Sequence, residues 1–250
     1  MQILYTRSRI SKNTLRKELL KLSEGDNILD LGCGEGQYIV PFLQKYKGNF
    51  FVGVDISDAH IDFLTAYIKT RSVNNFSVLK IDLDRDAIPY TEKFYDLIQM
   101  IGTLQYLNQP LHFLTKVGQL QSPGQKIIIY TPLQNRIELP FYRLIKDKFS
   151  HYDNSQNTYT QLSHHKLIAT LRSSGYHIIK EKFCYGKIGR YGLEIYNTLL
   201  ILFLNSNFIF KLFIFLFFII LAPIFVTLQV LDQMFPPKQG NSVLLVAEKT

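Results

Sequence analysis

Cysteine is almost missing from this chain, and so is any apolar core near its start. The 250 residues carry two cysteines, Cys33 and Cys184, far apart in the sequence. That is too few for a disulfide framework and wrongly spaced for a metal site, and it points to a reducing compartment. Residues 1–10 are basic but hold no apolar stretch of signal length, so the folded domain is expected to stay in the cytoplasm. Acidic residues are also short: 28 Lys and Arg face 20 Asp and Glu, a net charge of +8. Such an excess suits an anionic surface, nucleic acid or membrane headgroups, without choosing between them. The length fits one α/β domain with a sizeable core and at most a small appendage.

A missing glycine is the most informative absence. Asn27-Ile28-Leu29-Asp30-Leu31 is an apolar run ending near a carboxylate, followed by glycines at 32, 34 and 36. It reads as a buried parallel strand, a tight turn and a helix, the glycines letting backbone approach a ligand with no Cβ in the way. A dinucleotide fingerprint places its third glycine one position later, where this chain has Gln37, so nicotinamide cofactors are disfavoured. A plain strand-to-helix turn would account for these glycines taken alone. With Asp30 in front, the motif resembles the first motif of the class I S-adenosylmethionine-dependent methyltransferases. The resemblance implies S-adenosylmethionine as cofactor, with Asp30, Gly32, Cys33, Gly34 and Gly36 around its amino-acid end.

The next strands extend the likeness. Phe50 to Asp55 reads as a second buried strand, with Ser57 capping a helix from Asp58. An acidic residue roughly 20 positions beyond the turn can accept both ribose hydroxyls of a nucleoside, and Ile56 beside it joins the same set. Phe76 to Asp82 gives a third strand. The resemblance implies Asp82 on the exocyclic amine of adenine and Leu83 on its ring. Asp84 and Asp86 leave the choice of carboxylate open, with Asp82 preferred for its register. Phe94 to Leu107 resembles the fourth strand and the turn after it, and adds Met100 to the cofactor set. Here the chain departs from the pattern: Gln105 stands where some members have a proton-accepting histidine, and an amide is no general base. A base, where the acceptor needs one, is then sought after the fifth strand, among His151, Tyr152, His164 and His165. His151 comes first, because residues 149–159 lie where the family places acceptor contacts.

Ser122-Pro123-Gly124 leads into a fifth strand, 126–131. A helix capped by Ser163 covers 164–174, a sixth strand covers 176–183 and a seventh 240–248. The resemblance, covering Gly25 to Phe183 and the last ten residues, implies an α/β fold, a doubly wound, mostly parallel seven-stranded sheet of Rossmann-like type. Its ligand lies at the carboxyl ends of the strands.

Outside that pattern stand two apolar stretches, 195–204 and 208–231, separated by Asn205-Ser206-Asn207. A bilayer crossing needs roughly 20 residues. The seventh strand must rejoin the sheet, so a single crossing is excluded, and Pro223 is expected to break the second stretch. The reading is a re-entrant or in-plane helical hairpin in one leaflet, at the cytoplasmic face of a membrane. The basic face of a first helix over Ser11–Glu24 reads as a solvated face leading into the first strand, the alternative being that it meets anionic lipid together with Arg7 and Arg9. A lid packed on its own domain or on a dimer partner is the soluble alternative. The chain divides into a methyltransferase domain (1–192), the apolar helical insertion (193–236) and a returning strand (237–250).

The function expected is methyl transfer from S-adenosylmethionine to a lipophilic or membrane-held small molecule. The alternatives are a non-catalytic S-adenosylmethionine-binding membrane scaffold, or a methyltransferase of a soluble metabolite with the apolar segment only an anchor. Nucleic acid is disfavoured. Met100-Ile101-Gly102-Thr103 stands where base-amine methyltransferases carry Asn/Asp-Pro-Pro-aromatic, and no segment offers a cysteine nucleophile for cytosine carbon. No metal is called for.

Overall fold

The computed structural model describes residues 6–89, 95–134, 137–149 and 162–250. Strands form where β-branched and aromatic runs are buried: β1 Asn27–Leu31, β2 Phe50–Asp55, β3 Phe76–Lys80, β4 Leu97–Ile101, β5 Lys126–Pro132, β6 Tyr176–Cys184 and β7 Ser242–Lys249. They pair in one sheet of order β3-β2-β1-β4-β5-β7-β6. The first five are parallel, and β7 runs antiparallel to both β5 and β6. All five residues of β4 are buried, as a strand covered on both faces requires. Side-chain alternation sends Leu29, Leu31, Ile98 and Met100 into one core layer, and Ile28, Leu97 and Ile128 into the other.

Among the described residues the flanking helices are α1 Thr6–Leu19, α2 Val40–Leu43, α3 Asp58–Arg71, α4 Pro110–Val117, α5 Pro140–Lys148, α6 His164–Ser173, α7 Lys187–Leu204 and α8 Phe208–Met234. Three differ from the sequence reading. α1 ends at Leu19 rather than Glu24, because Gly25 adopts a φ of 91° and donates to the Gly48 carbonyl at 2.8 Å, turning the chain toward β1. α2 is only one turn long: Pro41 lacks an N–H and is held to the first turn, so the chain between Gly34 and Ile39 is turns. Ser163 holds the N-cap place of α6, yet its side chain makes no capping bond. Ser57 does cap α3, accepting from the His60 N–H. The side chains of Arg7 and Arg9 lie outside the described residues.

α7 and α8 are antiparallel neighbours. Asn205 donates to Ile201, Ser206 donates to Leu202, and Asn207 accepts from Phe210 N–H, so each residue of the connection closes a helix end. Pro223 does not break the second stretch, as expected from sequence, but sits inside a continuous α8. The one backbone bond it forfeits is tolerated because buried Ile214 and Phe225 fix the helix on either side. At the other end, Asp232 accepts from Gly186 N–H at 3.2 Å and Gly189 N–H at 3.1 Å, capping α7. A Cβ on Gly189 would lie 2.6 Å from the Asp232 carboxyl carbon, so glycine alone lets the two helix ends seat together. Buried Glu194 caps α5 in turn, accepting from Glu138 N–H at 2.9 Å and Leu139 N–H at 2.7 Å. Arg190 completes the junction, 2.9 Å from the Glu138 carboxylate.

Register fixes where this junction lies. Pro132, the end of β5, and Cys184, the end of β6, both pair with Ser242, the start of β7. The helical pair therefore springs from the carboxyl end of the sheet, the end that carries the glycine turn. One feature of α8 sets it apart: the most apolar stretch within Phe208–Asp232 has a mean hydropathy of 2.8, and only 11 % of it is buried.

Candidate cofactor and methyl-transfer site

The turn after β1 is drawn onto β2 by backbone bonds, Gly32 N–H and Cys33 N–H both donating to the Val54 carbonyl at 2.8 and 2.9 Å. Gly32, Gly34 and Gly36 all have positive φ, at 79°, 54° and 73°. Each serves a different need. A Cβ on Gly32 would stand 2.7 Å from the Thr103 methyl, and one on Gly36 2.7 Å from the Val40 side chain. One on Gly34 would meet nothing within 4 Å: that face is open. Cys33 is buried, its sulfur directed to the Gly34 carbonyl and its thiol pushed far up by burial, so it meets a ligand only through its backbone.

Asp55 closes the turn from the side. Its carboxylate accepts from Gly34 N–H at 2.8 Å and Ser57 N–H at 3.0 Å, and the His60 ring lies 3.2 Å away. Ile56, next to it, is 60 % exposed, an apolar ledge at the end of β2. Asp82 lies just past β3, accepting from Asp84 N–H at 3.0 Å with Arg85 at 3.5 Å. Asp84 is committed elsewhere: it accepts from the backbone and side chain of Asn108, tying this loop to the end of the 3-10 turn Leu104–Tyr106. Asp86 accepts from Asp82 N–H. Of the three carboxylates, Asp82 is the one at the strand end, and Leu83 packs half-buried against the core.

Asp30 is fully buried, and neither carboxylate oxygen reaches a hydrogen-bond partner within the protein. Gln99 pairs with it across β1 and β4, and its amide nitrogen and oxygen are likewise without partners. Burying such groups unmet costs about 1–3 kcal/mol each, so the pair is shaped for a polar visitor. Burial raises the Asp30 carboxyl to about 7, the nearby Gln99 amide working against this and Asp55 adding to it. The cationic amino-acid end of S-adenosylmethionine fits this pair, the open face at Gly34 fits close backbone approach, and Asp55 fits a ribose. Met100 belongs elsewhere: one residue after Gln99, it faces the opposite core layer and is wholly buried. Gln99, not Met100, stands beside Asp30.

The sequence matches the family profile described as "Methyltransferase domain" over residues 22–191. The chain belongs to the class I S-adenosylmethionine-dependent methyltransferases. This methyltransferase is 26 % identical over 101 residues to N-methyltransferase 4 of Papaver somniferum, covering 40 % of its own length but only 28 % of that protein's. It is 24 % identical over 129 residues to aklanonic acid methyltransferase DauC of Streptomyces sp. (strain C5), covering 50 % of itself and 58 % of the relative. In fold it is similar to geranyl diphosphate C-methyltransferase of Streptomyces coelicolor A3(2), with a TM-score of 0.62 at 14 % identity, over 97 % of this chain and 80 % of that one. The chain thus spans less than two thirds of the curated relatives it matches.

The candidate site also includes residues that sequence reading passed over. Thr103 buttresses Gly32 and donates to the Leu31 carbonyl at 2.7 Å; Gly102 before it has a φ of 75° and was the available signal. His60 stands one turn into α3, three residues beyond the capping serine. Of the candidate bases, His151 and Tyr152 lie outside the described residues. His164 is hydrogen-bonded to Glu181 and packs against Phe183 on β6. That is three strands from β4, about 14 Å across the sheet at ~4.8 Å per strand, so this pair lies away from the turn. Gln105 is buried in the 3-10 turn.

The raised Asp30 carboxyl gives a pH signature. Between roughly pH 4 and 7 the folded cofactor-free protein keeps a proton that the unfolded chain has lost, so this group makes stability fall as pH rises through that window. Melting temperatures taken at pH 5, 6 and 7 are expected to decline, and Asp30→Asn is expected to flatten the decline. An unchanged slope in the variant would show that Asp30 is not the group responsible.

Proposed function

We propose that the protein transfers the methyl group of S-adenosylmethionine to a lipophilic small molecule drawn from a membrane, with α7 and α8 lying in one leaflet at its cytoplasmic face. The observation that carries this reading is the unburied apolar surface of α8, set at the carboxyl end of the sheet. Phe208, Phe213, Phe217, Ile220 and Ile224 are all half exposed or more, far beyond the scattered apolar residues of an ordinary soluble surface. α8 is the one span-length apolar helix among the described residues. Both ends of the pair return to the same sheet, and α7 keeps Arg190 and Glu194 in its first half, leaving too short an apolar remainder to cross. An in-plane or re-entrant pose satisfies these limits.

Charge supports the same pose. Exposed Phe141 and Leu144 on α5 alternate with Arg143, Lys146 and Lys148, as on a helix resting among anionic headgroups. Lys187 and Lys238 flank the base of the pair. By its name, one relative acts on aklanonic acid, which favours an acceptor of small size.

The sulfonium of S-adenosylmethionine supplies an already activated methyl. The protein's part is then to align a nucleophile and exclude water. Asp30 and Gln99 would hold the amino-acid end, Gly34 would admit it closely, Asp55 would take the ribose, and Asp82 with Leu83 the adenine. The test is transfer of labelled methyl by detergent-purified protein into an extract of the source cell, partitioned between chloroform and water. Label is expected in the organic phase. Label confined to the aqueous phase would leave the helical pair an anchor and overturn the lipophilic acceptor.

A further inference from the structure

Between α7 and α8 lies an apolar cavity of about 410 Å³, within the range of small-molecule sites. Its two ends differ. Tyr196 and Gln229 supply the polar groups of its lining, and both lie toward the base of the pair, where Asp232 meets Gly186 and Gly189. Phe203 and Phe215 line it toward the Asn205–Asn207 connection. Phe215 and Gln229 are 14 residues apart on one helix, about 21 Å at 1.5 Å per residue. The polar end faces the carboxyl edge of the sheet, and the wholly apolar end faces away from it.

We infer that this cavity holds the hydrocarbon chain of the methyl acceptor, its reactive head at the base, on the carboxyl edge of the sheet, and its tail toward the connection. This inference rests on the proposed function and deepens it. The polarity gradient matches a single-chain amphiphile. The rings of Tyr196 and Phe225, both in the lining, meet edge-on with centroids 5.9 Å apart and join the two helices beside the cavity.

The chain has no tryptophan, so Ala222→Trp both fills the middle of the cavity and reports on it. Ile220→Trp adds the same ring on the open side of α8, outside the lining. The probe is cis-parinaric acid, titrated into the full chain in detergent. Wild type is expected to bind one probe saturably, Ala222→Trp at least tenfold more weakly, and Ile220→Trp as wild type. Both variants are expected to keep wild-type affinity for S-adenosylhomocysteine, which shows that they fold. With chloroform-extracted cell lipid as acceptor, Ala222→Trp is expected to raise the half-saturating amount at least tenfold at little changed kcat.

Equal weakening by the two tryptophans would reduce the cavity to general apolar surface. Lost probe binding with an unchanged half-saturating amount would make the occupant a structural lipid. A wild-type dimer in detergent that Ala222→Trp dissociates would make it a second copy. Each of these overturns the inference while methyl transfer persists. Absence of transfer by wild type with probe binding intact would instead overturn the functional reading.

Discussion

Asp55→Ala is expected to weaken binding of S-adenosylhomocysteine about a hundredfold, measured by titration calorimetry. A carboxylate offers about four acceptor positions, and Gly34 N–H, Ser57 N–H and the His60 ring hold three of them. Ribose engagement by both hydroxyls therefore displaces the ring and adds two charge-assisted bonds. At roughly 1.5 kcal/mol each these come to about 3 kcal/mol, or two orders of magnitude. The substitution also releases Gly34 N–H, so the turn loses its lateral tie along with its ligand contact. Asp55→Asn separates the two effects, because its one acceptor oxygen can keep a backbone bond while the charge is gone. Affinity within threefold of wild type in Asp55→Ala would remove this carboxylate from the ribose role.

Gly32→Ala is expected to lower the melting temperature by about 10 °C and to abolish cofactor binding. A residue with a Cβ pays about 1–2 kcal/mol at a φ of 79°, whatever the space around it. Here the space is also taken: the new carbon would stand 2.7 Å from the Thr103 methyl, and moving Thr103 breaks its buried bond to the Leu31 carbonyl, about 1 kcal/mol more. The sum, about 3 kcal/mol, corresponds to roughly 10 °C for a chain of this size. Thr103→Ala in the Gly32→Ala background should recover only the collision, leaving the backbone strain. Thermal melts of both singles and the double form a cycle, and strict additivity would show that the two residues do not touch.

Much of this fold was legible from residues because strand identity and ligand chemistry coincide. Asp30, Asp55 and Asp82 each follow or end an apolar run, so one pattern announced both a strand and its polar tip. Gln99 and Met100 show the limit. Both lie in a continuously buried strand, where composition gives no alternation, and only pairing with β1 tells which of them stands beside Asp30. Thr103 was silent for a similar reason, since its role is steric and depends on Gly32, 71 positions earlier. Pro223 misled because a proline forfeits a single bond, whereas helix continuity is decided by the packing of the turns around it. Ser163 had the right residue type at a helix start without the bond, a reminder that capping is geometry.

Glu194 and Asp232 carry a consequence for anyone wishing to make this protein easier to handle. The boundary read at residue 193 falls inside α7, and the two acidic side chains beyond it are the terminators of helices on the near side. Excising 193–236 to remove the apolar surface would strip the caps from α5 and from the first turn of α7, exposing Glu138, Leu139, Gly186 and Gly189 amides at once. That surface is better reduced by placing charged residues at exposed Phe213, Phe217 and Ile220 on the outer face of α8 while the helix itself stays in place.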